Sequence, residues 1–298
     1  MTRKTSQPSQ PASEDTGPGG VPITLLPKDQ DFARATQIWK GAPKVGKTST
    51  AAALGVVSAK YKLGFDPFFL LFEPGTAGVN MKGTSQKCPT CDGSGKTGKE
   101  KCNVCKGSGV TRLVLHTREQ MHDWFTWAAK SKHNPIIIDT GDAMYQAVAD
   151  SVCQELGIVS PFGANDHGVS WSMIYDEMRE LLSILRTEDK GIIIIMHVYM
   201  QDVRLKGGEV AQKAVFNIAG KSRSFLAGMA TQILHFDVVP DMDSKEKGKD
   251  KHVLIGAATS GIEAGDQWGL FPEMLDLGNS AEDGAEAILE CFGYLERK

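Results

Sequence analysis

Eight consecutive residues of this chain have the types and spacing needed to hold a polyphosphate. Gly41-Ala42-Pro43-Lys44-Val45-Gly46-Lys47-Thr48 satisfies the pattern G-x-x-x-x-G-K-[ST], and Ser49 follows it. In such a loop the glycines let backbone N–H groups turn inward on phosphate oxygens, and the next helix presents its positive end. Lys47 then reaches the β- and γ-phosphates and the Thr48 hydroxyl holds Mg²⁺. A second constellation is made of sulfur. Cys88-Pro-Thr-Cys91-Asp-Gly-Ser-Gly95 and Cys102-Asn-Val-Cys105-Lys-Gly-Ser-Gly109 are two copies of C-x-x-C-x-G-x-G. Four thiolates in two close pairs make a closed tetrahedral site for Zn²⁺, and the glycines permit the knuckle turns that aim N–H groups at sulfur. With every position filled by protein, the metal would be structural, and zinc binding of about 10–16 kcal/mol can hold together a segment that has no core of its own. A redox role for the C-x-x-C pairs is the alternative; two matched pairs fit structural zinc better.

The elements that must position these groups can be read from the apolar runs. A buried strand over 35–42 enters the phosphate loop, and an Ala-, Thr- and Val-rich helix over 47–60 leaves it, which is the context the loop requires. The run 68–72 (FFLLF) closes on Glu73, Pro74 and Gly75, and the segment 82–110 interrupts the pattern without apolar periodicity. Then follow a strand 112–116, a helix 118–130 with Met121, Trp124, Phe125 and Ala128 on one face, a strand 136–139 and a helix 143–156. A third amphipathic helix carries Trp171, Ile174, Tyr175, Met178, Leu181, Leu182 and Leu185 on one side. The most apolar strand, 191–196 (GIIIIM), reads as central and covered on both faces. The last third reads as a polar loop 201–221, a helix 222–231, strands 233–239 and 252–257 around the charged turn 241–251, and a terminal helix 282–295. Strands alternating with helices imply an α/β fold, a mostly parallel helix-covered sheet, with room for an antiparallel edge.

A carboxylate that orders magnesium should end a strand near the loop, and Ile136-Ile137-Ile138-Asp139 has that form. Asp139 is the Walker B candidate; the competing reading is an Asp that caps the following helix.

Composition sets the outer limits. The 298 residues include 33 Lys+Arg against 36 Asp+Glu, a net charge of -3, with 41% hydrophobic residues, which is ordinary globular usage. No apolar run reaches the roughly 18 residues of a membrane span and the N-terminus has no signal-like apolar stretch, so the expectation is a cytoplasmic protein with no membrane partner. In a reducing compartment clustered cysteines point to metal rather than disulfides. Residues 1–22, rich in Ser, Pro, Gly, Thr and Gln, read as a disordered tail ahead of one folded domain over 23–298 that contains the 82–110 insertion.

GAPKVGKT, FFLLFEPG, PIIIDTGDAMYQ and GIIIIMHVYM, in this order, resemble the RecA-like core, and in particular the compact phage and prophage RecA-like ATPases of the Sak recombination group, whose loop often reads PKxGKT. The match covers about residues 35–259. The resemblance implies a RecA-like P-loop fold, ATP and Mg²⁺ as ligands, and recombination, repair or single-strand annealing as the biology, in the bacterial host cytoplasm if the chain is phage-encoded. It implies that the water-activating base is Glu73, at the end of the strand after the phosphate-loop helix, since Thr140 rather than Glu follows Asp139. It also makes His197, behind GIIIIM, a γ-phosphate sensor. Read as plain residues, Glu73 is a turn residue before Pro74 and His197 a hydrogen-bonding residue at a strand end. Two departures stand: no match to the RecA DNA-binding loop sequences, and a His where RecA has an amide. The cysteine units resemble the zinc repeats of DnaJ chaperones.

The RecA comparison puts nucleic-acid contacts on 157–170, with Phe162 as a wedge, and on 201–221, with Arg204, Lys206, Lys213 and Lys221 around a Gly207-Gly208 tip; an exposed polar loop is the plainer alternative. Lys221 or Arg223 could complete a neighbouring subunit's site, because RecA-like sites are normally finished in trans. Between Lys82 and Arg112 there are seven basic residues and two acidic ones on an otherwise acidic chain. Four thiolates with Zn²⁺ contribute -2, so about +3 survives. That lobe is either a phosphate-backbone contact or a solubilising loop. The leading expectation is an oligomeric ATPase on single-stranded DNA, working beside single-strand-binding or other recombination proteins. The second is an ATP-switched DNA-binding or loading protein with slow hydrolysis. A nucleoside-kinase-like phosphotransferase ranks last, because in thymidine kinases the zinc follows the Walker B strand.

Overall fold

Runs of four to six apolar residues have no polar side to show to water, so they belong in strands covered on both faces. The computed structural model describes residues 30–74, 79, 81–204, 208–218, 220–241, 250–259 and 261–296, and bears this out; the tail expected over 1–22 lies outside them. Five parallel strands carry the core: β1 (Thr36–Gly41), β2 (Phe68–Leu71), β7 (Ile136–Asp139), β8 (Ile192–Arg204) and β10 (Gln232–Pro240). An antiparallel edge is added by β11 (Asp250–Ile255) and β13 (Met274–Asp276), giving the order β13-β11-β10-β1-β8-β7-β2. The Walker B candidate strand β7 is thus separated from β1 by β8.

Alternate residues of each strand serve opposite layers. Ile192, Ile194 and Met196 join Ile136, Ile138, Phe68 and Leu70 on one face, under α2 (Arg118–Lys130), α3 (Gly141–Leu156), α4 (Val169–Thr187) and α5 (Gly220–Met229). Ile193, Ile195, Ile137, Phe69 and Leu71 face the other layer, where α1 (Lys47–Tyr61) packs against α6 (Ala281–Cys291). The GIIIIM run is continuous in sequence because both of its sides are core.

The cysteine segment forms two small ladders, β3 (Ser85–Lys87) with β6 (Val110–Arg112) and β4 (Lys96–Thr97) with β5 (Glu100–Lys101). Its stem covers the sheet edge that β2 would otherwise expose. Phe69 N–H donates to the Lys82 carbonyl at 2.9 Å, Thr84 N–H to Phe69 at 2.9 Å, and Leu115 N–H to Leu71 at 2.8 Å.

Three expectations need correction. The strand expected over 112–116 is instead the end of β6 followed by extended chain, whose Leu113 and Leu115 amides are spent on Thr84 and Leu71. The strand expected to stop at Met196 runs on to Arg204, because its outer half pairs antiparallel with β9 (Val210–Phe216). Most of the expected polar loop over 201–221 is therefore a β-hairpin; Lys206 and Gly207 lie outside the described residues. The expected turn over 241–251 falls largely on 242–249, also outside them. The two-residue β12 (Gly265–Asp266), on β10, and the three-residue β13 were too short to read from pattern.

Candidate functional site

The phosphate-loop residues lie where β1 gives way to α1. Gly41 must be glycine, since a Cβ there would stand 2.3 Å from the Phe236 carbonyl oxygen. Gly46 is the N-cap of α1, with φ 97° and no side-chain hydrogen bond to the first turn. The N–H groups of Lys47, Thr48 and Ser49 therefore keep no intrahelical acceptor and stand at the positive end of the helix. Ala42, Pro43 and Lys44 are exposed along the loop, while Val45 is tucked into the core. Lys47 is buried, and its Nζ donates to the carbonyls of Gly41 at 2.9 Å and Ala42 at 2.7 Å. Burial lowers its pKa to about 8, against the pull of Asp142, Asp139 and Glu73.

Asp139 stands at the tip of β7, and Thr48 Oγ1 donates to its Oδ1 at 3.1 Å across the strand ends. It does not cap α3; Thr140 does, accepting from Ala143 N–H. Burial first, with the Glu73 charge in the same direction and the Thr48 hydrogen bond opposing, raises Asp139 to about 6. A hydroxyl and a buried carboxylate, two hard oxygen donors facing each other beside the loop, fit Mg²⁺, which takes few protein ligands and fills its sphere with water and substrate phosphate.

Glu73 lies two residues past β2. Its Oε1 accepts from Thr140 Oγ1 at 2.6 Å and comes within 3.7 Å of His197 Nδ1. His197 is level with Gly41 in the β1/β8 register, at the point where β8 leaves the parallel sheet for the hairpin. The residue that sequence reasoning missed is Asp142. It meets the His197 ring through Oδ2 at 3.0 Å and accepts the His197 backbone N–H through Oδ1 at 3.1 Å. Burial alone would raise Asp142, but the hydrogen bonds and charge of His197 hold it below the usual carboxylate range. The same hydrogen bond, over the opposing effect of burial, raises His197. The available signal was an acidic residue in the first turn of the helix after β7, where side chains favour the N-terminal end.

Glu73 and Asp142 also line a 580 Å³ groove together with Tyr145, Phe162, Trp171 and Tyr199. Phe162 is 77% exposed and packs edge-on against Trp171 at 4.7 Å. A second cavity of 600 Å³ beside the C-terminal half of α1 holds none of these groups. Of the basic residues expected to act in trans, Arg223 is paired with Glu263 at 3.0 Å, whereas Lys221 is exposed. Arg204 is exposed and Lys213 half-buried on the hairpin arms.

The four cysteines converge. Sγ of Cys88 lies 3.9 Å from that of Cys102, and Cys91 3.7 Å from Cys105. All are unbridged, and the four ligand atoms lie within 4.8 Å of one another. Zn–S bonds of about 2.3 Å in a tetrahedron put sulfurs about 3.8 Å apart, whereas a disulfide needs about 2.05 Å. Gly95 and Gly109 donate N–H to Cys91 and Cys105 sulfur, each at 3.3 Å.

The sequence profile of the AAA domain family (AAA_24) matches residues 33–268, most of the chain and all of the site just described. The chain belongs to the AAA domain family. Among solved structures, this AAA domain is similar to the KaiC-like protein of the hyperthermophilic archaeon Pyrococcus horikoshii OT3, at 10% identity, covering 84% of this chain and 88% of that one, with a TM-score of 0.40. No curated protein sequence matches it. The AAA domain is a P-loop ATPase with a mostly parallel sheet flanked by helices. Among its described residues no helix is long and apolar enough to cross a membrane.

Proposed function

We propose that the protein hydrolyses ATP on single-stranded DNA in recombination, repair or annealing, as its resemblance to the phage RecA-like group implies. The observation that carries this reading is the shared groove: Glu73 and Asp142 line the same cavity as Tyr145, Phe162, Trp171 and Tyr199. Aromatic side chains of this kind stack on bases of any sequence, worth about 1–3 kcal/mol per base.

In this reading the residues 41–49 cradle the triphosphate, and Lys47 exchanges its two loop carbonyls for phosphate oxygens. Thr48 and Asp139 would hold Mg²⁺, which would neutralise developing negative charge on the triphosphate. Glu73 takes the proton from the attacking water through Oε2, while Thr140 fixes Oε1. His197 reads the terminal phosphate from its place beside Glu73 and, being the last residue before the hairpin, passes that state to β8 and β9. The four cysteines would hold Zn²⁺, a reading that the sulfur spacing and the two N–H···S contacts support. Completion of the site by a second copy falls to Lys221, since Arg223 is engaged within its own chain.

The test is binding of a fluorescent oligo(dT) by anisotropy together with ATP turnover with and without that strand. The reading predicts micromolar or tighter binding that Phe162→Ala weakens, and faster turnover in the presence of DNA. Turnover indifferent to DNA would replace it with a nucleotide-driven switch, in which a non-hydrolysable analogue and ADP alone set assembly.

A further inference from the structure

The cysteine lobe is built around an internal two-fold. β3 enters the first C-x-x-C-x-G-x-G copy and β4 leaves it; β5 enters the second and β6 leaves it, and the ladders exchange between copies, β3 with β6 and β4 with β5. The copies repeat each other's bonds. Ser94 and Ser108 donate to the Cys91 and Cys105 carbonyls, each at 2.7 Å. The backbones interlock through glycine: a Cβ on Gly95 would stand 2.4 Å from Gly107 O, and one on Gly109 2.3 Å from Gly93 O. Backbone and sulfur therefore define the lobe, and its other side chains are free to face outward.

What faces outward is mostly positive, against the exposed Asp92 and Glu100. Lys87, Lys96, Lys99, Lys101 and Lys106 are all exposed, and none enters an ion pair among the described residues. Lys96 and Lys101 stand directly opposite each other in the β4/β5 ladder. Like charges in that position destabilise a ladder, so stability of the lobe does not account for the pair. No aromatic residue lies between Lys82 and Arg112, so stacking on bases is not available there. The chemistry that relieves opposed ammonium groups without reading bases is a row of phosphates.

We infer that the lysine face of the cysteine lobe grips the phosphate backbone of a nucleic-acid strand, as a second contact apart from the aromatic groove. This rests on the DNA reading proposed above. The lobe is rooted beside the active site: Thr84 in its stem accepts Leu71 N–H at 3.3 Å, two residues before Glu73, and donates to Leu113 O at 2.5 Å.

The experiment is anisotropy of labelled oligo(dT) at several salt concentrations, with the zinc-loaded full chain, for the wild type and for Lys96→Gln/Lys99→Gln/Lys101→Gln. Loss of three phosphate contacts from a single strand lowers the slope of log K against log salt by about 2, and binding at low salt should fall at least about tenfold. Zinc content measured on both proteins shows that the lobe is intact; if the triple variant loses zinc, Lys87→Gln/Lys106→Gln gives the same test away from the β4/β5 ladder. Unchanged affinity and slope in a zinc-loaded variant would overturn the inference while leaving the DNA reading standing. A wild type that binds no oligonucleotide would remove both.

Discussion

Asp142 holds His197 at two points, taking its backbone N–H on one carboxylate oxygen at 3.1 Å and its ring Nδ1 on the other at 3.0 Å. A histidine gripped at both ends has one ring orientation and one preferred proton position, and this one also lies 3.7 Å from Glu73. The strand carrying it turns from parallel sheet to hairpin at the next residue. Asp142 thus positions the His197 ring, the group that the proposed mechanism makes the link between nucleotide state and the hairpin.

Asp142→Asn should lower the His197 titration midpoint, because the carboxylate that raises it is gone. Misorientation near the reacting centre should cut kcat about 10- to 100-fold with KM for ATP little changed. Histidine NMR titration with steady-state kinetics checks both, and an unmoved midpoint would remove the coupling.

His235, in register with the buried Lys40 of β1, should make the fold acid-sensitive. Burial first, then the Lys40 charge, lowers its pKa from 6.5 to about 4, and its Nδ1 finds no hydrogen-bond partner among the described residues. A histidine whose folded pKa is depressed binds fewer protons when folded. Its contribution is whole above pH 6.5 and is lost as the pH falls toward 4, by up to about 3 kcal/mol. Urea unfolding at pH 7.5 and pH 5 measures this, and His235→Leu should flatten the difference.

Cys88→Ser should release zinc and loosen the lobe while the sheet stays folded, because the lobe's sulfur cluster is separate from the two large apolar layers. Metal analysis and circular dichroism distinguish this from global unfolding. Loss of the whole fold would mean that the stem on β2 is indispensable to the sheet.

The phosphate loop, the central strands and the cysteine cluster were legible in the sequence because each depends on local chemistry: loop glycines, apolar runs, paired thiols. Glu73 and Asp139 were legible as residues just beyond apolar runs. Asp142 was not, since its partner His197 is 55 residues away and only the β7/β8 register brings α3's first turn beneath it. The hairpin was hidden for a different reason: 198–204 (VYMQDVR) and 210–216 (VAQKAVF) lack the strict polar/apolar alternation that marks a strand, so they read as loop until β9 is seen to pair with β8. The coverage of β2 by the insertion stem likewise exists only in three dimensions.

The central claim is that the triphosphate is held by the loop at 41–49 and hydrolysed by Glu73. It is tested most directly by measuring ATP binding and single-turnover hydrolysis in Glu73→Gln beside Lys47→Ala. The account predicts that Lys47→Ala loses binding, whereas Glu73→Gln binds ATP as the wild type does and hydrolyses it at least about a hundredfold more slowly. Normal hydrolysis by Glu73→Gln would contradict it.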